Sequence, residues 1–171
     1  MAALLTLVLG GARSGKSRHA ESLIAATSPP WIYIATAQAG DAEMTERIAM
    51  HRERRGHDWQ TLEAPSDLVG ALASVQSRPV LIDCLTLWLS NLMLADADIG
   101  TEISALERAL LLRTDPTAVV ANEVGSGIAP DNALARRFRD LQGILNQRVA
   151  ACADRVILVV AGLPLIVKGM P

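Results

Sequence analysis

Gly10-Gly11-Ala12-Arg13-Ser14-Gly15-Lys16-Ser17 fits the pattern G-x-x-x-x-G-K-S in full. An aliphatic run, Leu4–Leu9, leads into it, and a helix-period segment from Lys16 to about Ala26 leads out. A strand, a glycine-rich turn and a helix in that order build a phosphate cradle. Glycines let successive N–H groups point inward, and the helix N-terminus adds its positive end. Lys16 is placed to reach the β and γ phosphates of a nucleoside triphosphate, and the Ser17 hydroxyl to ligate Mg²⁺. A glycine-rich turn with an incidental lysine explains the glycines but not the whole spacing. Arg13 and Arg18 either add positive charge beside the loop or lie solvated. His19 falls on the helix flank and reads as structural.

Working outward, four more short aliphatic runs follow: Trp31–Ala35, Val80–Asp83, Ala118–Ala121 and Val156–Ala161. None alternates apolar with polar, which is how strands buried on both faces of a parallel sheet read. Helix-period segments separate them: about Asp41–His57, then Leu85–Leu112 with a break near Asp96–Gly100, then about Asn132–Ala153. In the last, Leu134, Phe138, Leu141, Leu145, Val149 and Cys152 form one apolar stripe. Pro29-Pro30 and Pro164 punctuate loops. Strands alternating with helices predict an α/β fold with a mostly parallel central sheet between helical layers. With 171 residues and no repeat or linker, residues 1–171 are expected to form a single domain.

Composition narrows the class. Half the residues are apolar, yet only three Trp, one Tyr and one Phe occur, so the core is aliphatic. A net charge of −2 gives no sign of a nucleic-acid partner. Cys84 and Cys152 are the only cysteines and lie far apart, which fits a reducing, cytoplasmic setting. The apolar start lacks a basic leader and reads as a strand, not a signal peptide. No apolar run is long enough for a spanning helix.

Val80-Leu81-Ile82-Asp83 ends a strand in a carboxylate. Two roles suit Asp83: holding Mg²⁺ through hard carboxylate oxygen, or capping the next helix. The segment Arg47-Ile48-Ala49-Met50-His51-Arg52-Glu53-Arg54-Arg55 is more unusual. On a helix, Arg47, His51 and Arg54 or Arg55 share a face. Arginines around an imidazole favour its neutral, nucleophilic form and can hold phosphates. Such a ring beside a triphosphate can attack the α-phosphorus, releasing pyrophosphate. A solvated basic helix face explains the same residues without chemistry.

These segments occur together and in order with Ile34-Ala35-Thr36-Ala37, Trp59, Glu63, Asn122-Glu123-Val124-Gly125, Gly127-Ile128, Pro130, Asn146-Gln147-Arg148 and Val159-Val160-Ala161-Gly162-Leu163-Pro164. Over nearly its whole length the chain thereby resembles the bifunctional adenosylcobinamide kinase / adenosylcobinamide-phosphate guanylyltransferases of cobalamin biosynthesis. The phosphate loop alone is widely shared; its conjunction with the His–Arg segment and the Asn-Glu-Val-Gly loop is specific. The resemblance implies a RecA-like P-loop NTPase fold and a homo-oligomer, a trimer. It implies phosphorylation of adenosylcobinamide by ATP or GTP, then transfer of GMP from GTP through a guanylylated histidine. His51 matches the nucleophile; Met50 stands where some relatives carry a second histidine, and His57 lies outside the motif. GTP contacts are implied at Gly10–Ser17, at Ala35, Thr36 and Ala37, at Arg52, Glu53, Arg54 and Arg55, at Glu63, and near Asp83.

Two rival functions remain at this level: a plain small-molecule P-loop kinase, and a nucleotide-binding regulatory module without chemistry. Glu123 follows a strand at the end where α/β sheets bind ligands. It serves either as general base for the substrate hydroxyl or as an arginine partner. Gly125, Gly127 and Pro130 shape the loop. Arg136, Arg137 and Arg139 fit a solvated helix face better than a phosphate site.

Overall fold

The computed structural model describes residues 5–38 and 56–170. Its elements are β1 (Leu5–Gly10), α1 (Lys16–Ala25), β2 (Trp31–Ala35), β3 (Trp59–Glu63), α2 (Leu68–Ser74), β4 (Val80–Asp83), α3 (Leu85–Leu94), α4 (Ile99–Leu111), β5 (Thr117–Asn122), α5 (Ala133–Cys152), β6 (Arg155–Val160) and β7 (Leu163–Lys168). The seven strands form one sheet in the order β3-β2-β4-β5-β1-β6-β7. All pairings are parallel except β6 with β7. β5 therefore lies between the phosphate-loop strand and the strand that ends in Asp83.

The strands read as continuous aliphatic runs because both faces are buried. Alternate residues go to opposite sides: Ile32, Ile34, Val80, Ile82, Val119 and Ala121 pack on one face with the apolar sides of α2, α3, α4 and α5. Tyr33, Leu81, Ala118, Val120, Ile157 and Val159 pack on the other with Ala20 and Ile24 of α1. Trp31, Tyr33 and Trp59 continue that second face toward β3, with ring centroids 5.3 Å apart for Trp31 and Trp59. Trp88 is fully buried, and its indole N–H donates to Ser66 O at 2.7 Å. A buried Trp keeps its polar atom satisfied in this way.

Each of the five expected strands is present within a residue of its expected limits. The break between α3 and α4 falls at residues 95–98, where Asp96 has φ +53° and Asp98 caps α4 by accepting from Thr101 N. The segment carrying His51, Arg52, Glu53, Arg54 and Arg55 lies outside the described residues. Of the helix expected over about Asp41–His57 only the last two residues are described: Gly56 belongs to no helix, and residues 57–58 form a turn into β3. Leu134 drops out of the α5 stripe: it is 60 % exposed in the first turn, whereas Leu145 and Val149 are fully buried. Pro164 sits in a strand rather than a loop. β7 is an edge strand, where a missing N–H can face solvent, and Pro164 pairs with Val159.

Candidate functional site

The phosphate loop is shaped by close approaches that only glycine permits. A Cβ on Gly10 would sit 2.4 Å from Ser14 Oγ and 2.8 Å from Val159 O. Gly15 has φ +94°, and a Cβ there would meet Gly162 Cα at 3.3 Å. The turn between β6 and β7, Ala161-Gly162, packs directly on the loop, and Gly162 N donates to Ser14 O at 2.9 Å. Lys16 begins α1 and is buried, with its Nζ donating to Gly11 O at 3.0 Å. The ammonium is thereby held against the loop backbone. Ser17 follows on the first turn, partly exposed.

The carboxyl ends of the parallel strands gather the other segments. In register, Glu63 lies beside Ala35, Ala35 beside Asp83, and Gly10 beside Asn122. Ala35, Thr36 and Ala37 leave β2 between Glu63 and Asp83. Thr36 is fully buried and ties β2 to β4: its hydroxyl donates to Cys84 O at 2.7 Å and accepts from Cys84 N at 2.8 Å. Asn91 on α3 holds the same corner by donating to Thr36 O and Pro65 O, each at 2.9 Å.

Asp83 does not cap α3. The N-cap is Cys84, which makes no side-chain cap bond, and the Asp83 carboxylate accepts from the Tyr33 hydroxyl at 3.0 Å. Burial, and then the charge of Asp83, push the Cys84 thiol up to about 11. A thiol so far from ionising is no nucleophile at neutral pH.

Glu123 leaves β5 beside the phosphate loop, its N–H donating to Gly10 O at 3.0 Å. Among the described residues its carboxylate accepts from Gly125 N at 2.6 Å and meets no arginine. Arg136 tethers the following loop by donating to Pro130 O at 3.0 Å and Asp131 O at 2.6 Å. Arg139 meets its neighbour Asp140 at 3.4 Å. Arg148 joins α5 to α4 through Glu107 and Ser104. The sequence alone assigned no role to Tyr33, to Thr36 as a strand clasp, to Thr86, Asn91 or Gln142, and carried Gly162 only as part of the resemblance. The signals present were a Tyr one strand over from Asp83, polar residues inside the apolar helix α3, and Gln142 within the apolar stripe of the amphipathic α5.

His19 holds its structural role. Burial first, then the Arg155 charge, lower its pKa, and its buried Nε2 has no hydrogen-bond partner among the described residues. Protonation is thus disfavoured in the folded state. The unfolded chain takes up the proton first, so stability is complete above the ordinary histidine pKa and falls as pH drops below it. His19→Gln is expected to flatten this acid-side decline, measured as urea midpoints at pH 7.5 and 5.5. An identical decline in the variant would assign it to other groups.

A phosphate loop facing a strand-end carboxylate across the carboxyl edge of a parallel sheet places the chain among P-loop nucleotide-binding proteins. Solved structures agree on the fold. It is similar to a type III secretion system ATPase of pathogenic bacteria, with TM-score 0.55 and 14% identity over 95% of this chain. It is similar also to the VirB11 ATPase of the Brucella suis type IV secretion system, with TM-score 0.50 and 12% identity over 96% of this chain. The chain spans 56% and 48% of those two proteins.

Within that class the family is specific: the chain belongs to the cobinamide kinase / cobinamide phosphate guanyltransferase family, whose model matches residues 6–167. It is 48% identical over 169 residues to the bifunctional adenosylcobalamin biosynthesis protein CobP of Pseudomonas aeruginosa, covering 96% of this chain and 98% of the relative. It is 41% identical to the bifunctional adenosylcobalamin biosynthesis proteins CobU of Salmonella typhimurium and Escherichia coli, covering 96% of this chain and all of each relative. The chain is thus an enzyme, a kinase and guanylyltransferase of cobalamin biosynthesis.

Proposed function

We propose that the chain phosphorylates the aminopropanol hydroxyl of adenosylcobinamide with ATP or GTP held at Gly10–Ser17, then guanylylates the resulting phosphate. In the second reaction neutral His51 attacks the α-phosphorus of GTP, a P–N bond forms and pyrophosphate leaves. The substrate phosphate then attacks the same phosphorus, the P–N bond breaks, and adenosylcobinamide-GDP forms. The observation that carries this reading is the shared sheet edge: Gly10–Ser17, Ala35–Ala37, Glu63, Asp83 and Glu123 come from five strands and meet at the ends where α/β sheets bind ligands. Glu63 stands four strand spacings from Gly10, about 19 Å. That suits a carboxylate receiving the N–H edge of a guanine rather than a phosphate. Arg52, Glu53, Arg54 and Arg55 follow His51 and belong to the same GTP site in this reading. Glu123 is the base for the substrate hydroxyl.

Ser17 and Asp83 fit Mg²⁺. Both are partly exposed oxygen donors at the same sheet edge, and among the described residues the Tyr33 O–H engages one carboxylate oxygen of Asp83. When bound, Mg²⁺ neutralises charge on the transferring phosphoryl group. Asp83→Asn keeps an acceptor for Tyr33, so it is expected to raise the Mg²⁺ needed for half-maximal turnover while the melting temperature hardly moves. Lost stability with an unchanged Mg²⁺ titration would make Asp83 structural.

No described helix is long and apolar enough to cross a membrane. The two free thiols support a cytoplasmic setting. Self-association, for which the resemblance implies a trimer, fits the exposed face of β7: Leu163, Leu165 and Val167 are 72 %, 58 % and 62 % exposed on an edge strand. Apolar edges of this kind favour partners. The whole reading is tested by supplying adenosylcobinamide, ATP labelled at the γ-phosphate and GTP labelled at the α-phosphate. Both labels should end in one corrinoid product; γ-label alone would reduce the protein to a kinase.

A further inference from the structure

β5 outruns β4. Their register ends with Asp83 opposite Val120, so the backbone of Asn122 faces no strand on that side. Side chains from two helices take the place of the missing strand. Asn122 N donates to Thr86 Oγ1 at 2.7 Å, at the start of α3, and Asn122 O accepts from Asn146 Nδ2 at 3.1 Å, from α5. On its other side the chain is held to β1, where Glu123 N donates to Gly10 O. The corner from which Glu123 departs is therefore pinned on both sides.

The pin has its own support. Asn146 is 7 % exposed, and Gln142, one helical turn earlier, is fully buried. Gln142 Nε2 donates to Asn146 Oδ1 at 2.8 Å. The orientation of both amides follows from one atom. The Asn122 carbonyl can only accept, so it draws the Asn146 NH₂ group, which turns Asn146 Oδ1 toward Gln142 and requires the Gln142 NH₂ group there. Among the described residues, Gln142 Oε1 is left buried without a partner. A buried amide acceptor without a donor is costly. If α5 served packing alone, an aliphatic residue at 142 would fill the space without that cost.

We propose that Asn146, oriented by Gln142, is a positioning residue for the kinase step: it fixes the Asn122–Glu123 corner so that the Glu123 carboxylate stands beside the phosphate loop. This rests on the reading of Glu123 as base. Neither amide touches nucleotide or substrate; both act through the Asn122 carbonyl. A base displaced by about an ångström loses up to about 10²-fold in rate while binding is little changed.

The test uses the full-length enzyme and three variants, with the kinase step followed on adenosylcobinamide and ATP. Gln142→Leu exchanges one orphaned acceptor, Gln142 Oε1, for another, Asn146 Oδ1, so its melting temperature should stay near that of wild type. Its kcat should fall between about tenfold and 10²-fold, with KM for ATP unchanged. Asn146→Ala should show the same split with some loss of stability. Glu123→Gln should lose about 10²-fold or more and also the acidic limb of the pH–rate profile, which the other two retain. In the double variant, Gln142→Leu should cost nothing beyond Glu123→Gln, because a positioning residue has no effect without the group it positions. Wild-type kcat in Gln142→Leu and in the folded fraction of Asn146→Ala, beside a crippled Glu123→Gln, overturns the positioning role alone. Wild-type turnover in Glu123→Gln overturns the base reading and the positioning role with it.

Discussion

His51→Ala is expected to carry no covalent GMP and to transfer none, while still phosphorylating adenosylcobinamide at close to the normal rate. A neutral imidazole attacks phosphorus well once arginines and the metal have withdrawn charge from the triphosphate, and alanine offers no substitute nucleophile. Loss of a nucleophile of this kind costs on the order of 10³-fold or more. The kinase step needs the phosphate loop, the metal and a base for the hydroxyl, none of which is His51. In wild-type protein, label from the α-phosphate of GTP should resist alkali and be lost in acid, where the P–N bond hydrolyses once its nitrogen is protonated. Adding adenosylcobinamide phosphate should discharge it. Normal labelling of His51→Ala, or an active wild-type enzyme that never takes up label, removes the covalent route through this residue.

The fold was legible where burial imposes a repeating pattern. β1, β2, β4, β5 and β6 are interior strands with both faces covered, so their aliphatic runs declared them. The strands that escaped are the edges. β3 is Trp-Gln-Thr-Leu-Glu, polar because among the described residues one side has no neighbour and its side chains are largely solvated. β7 hid behind Pro164, a loop signal that an edge strand tolerates. α2 has only seven residues, two turns, too few for a periodicity to stand out.

The candidate site divides in the same way. The phosphate loop is contiguous in sequence, and Gly10 and Gly15 each have a local steric reason, so eight residues sufficed to read it. Asp83 was legible as a carboxylate ending an aliphatic strand, but its two roles were not separable. Choosing between them needs Tyr33, which is fifty residues away in sequence and one strand away in space. Thr86, Gln142 and Asn146 were illegible for a related reason. A polar residue within an apolar stripe looks like a fault until the backbone of Asn122, which lacks a strand partner on that side, is seen beside it. The register of β4 against β5 creates that need, and register is a property of the sheet rather than of any one segment.

Lys16→Ala should disable both reactions in a protein that remains folded. The ammonium is buried at the start of α1 and donates to Gly11 O. Gly11 itself is exposed, so its carbonyl can turn to water when the lysine is removed, and the loop keeps its Gly162–Ser14 brace. Stability should therefore change little. Catalysis should not be spared, because the P-loop lysine neutralises charge on the β and γ oxygens. In the kinase step that charge develops on the transferring phosphoryl group. In the guanylyl step it develops on departing pyrophosphate, which carries the same two phosphorus atoms. Removing one fixed electrostatic donor of this kind costs about 10²–10³-fold. Lys16→Arg should rescue neither reaction, since a planar guanidinium is larger than the buried ammonium it replaces and presents its donors in a rigid fork. The measurement is the rate of His51 labelling by GTP set beside the rate of corrinoid phosphorylation, in protein whose melting temperature matches wild type. Parallel loss of the two rates is the expected result and marks one phosphate loop serving both reactions. Loss of phosphorylation with labelling at the wild-type rate would put the guanylyl donor in a second site, away from Gly10–Ser17.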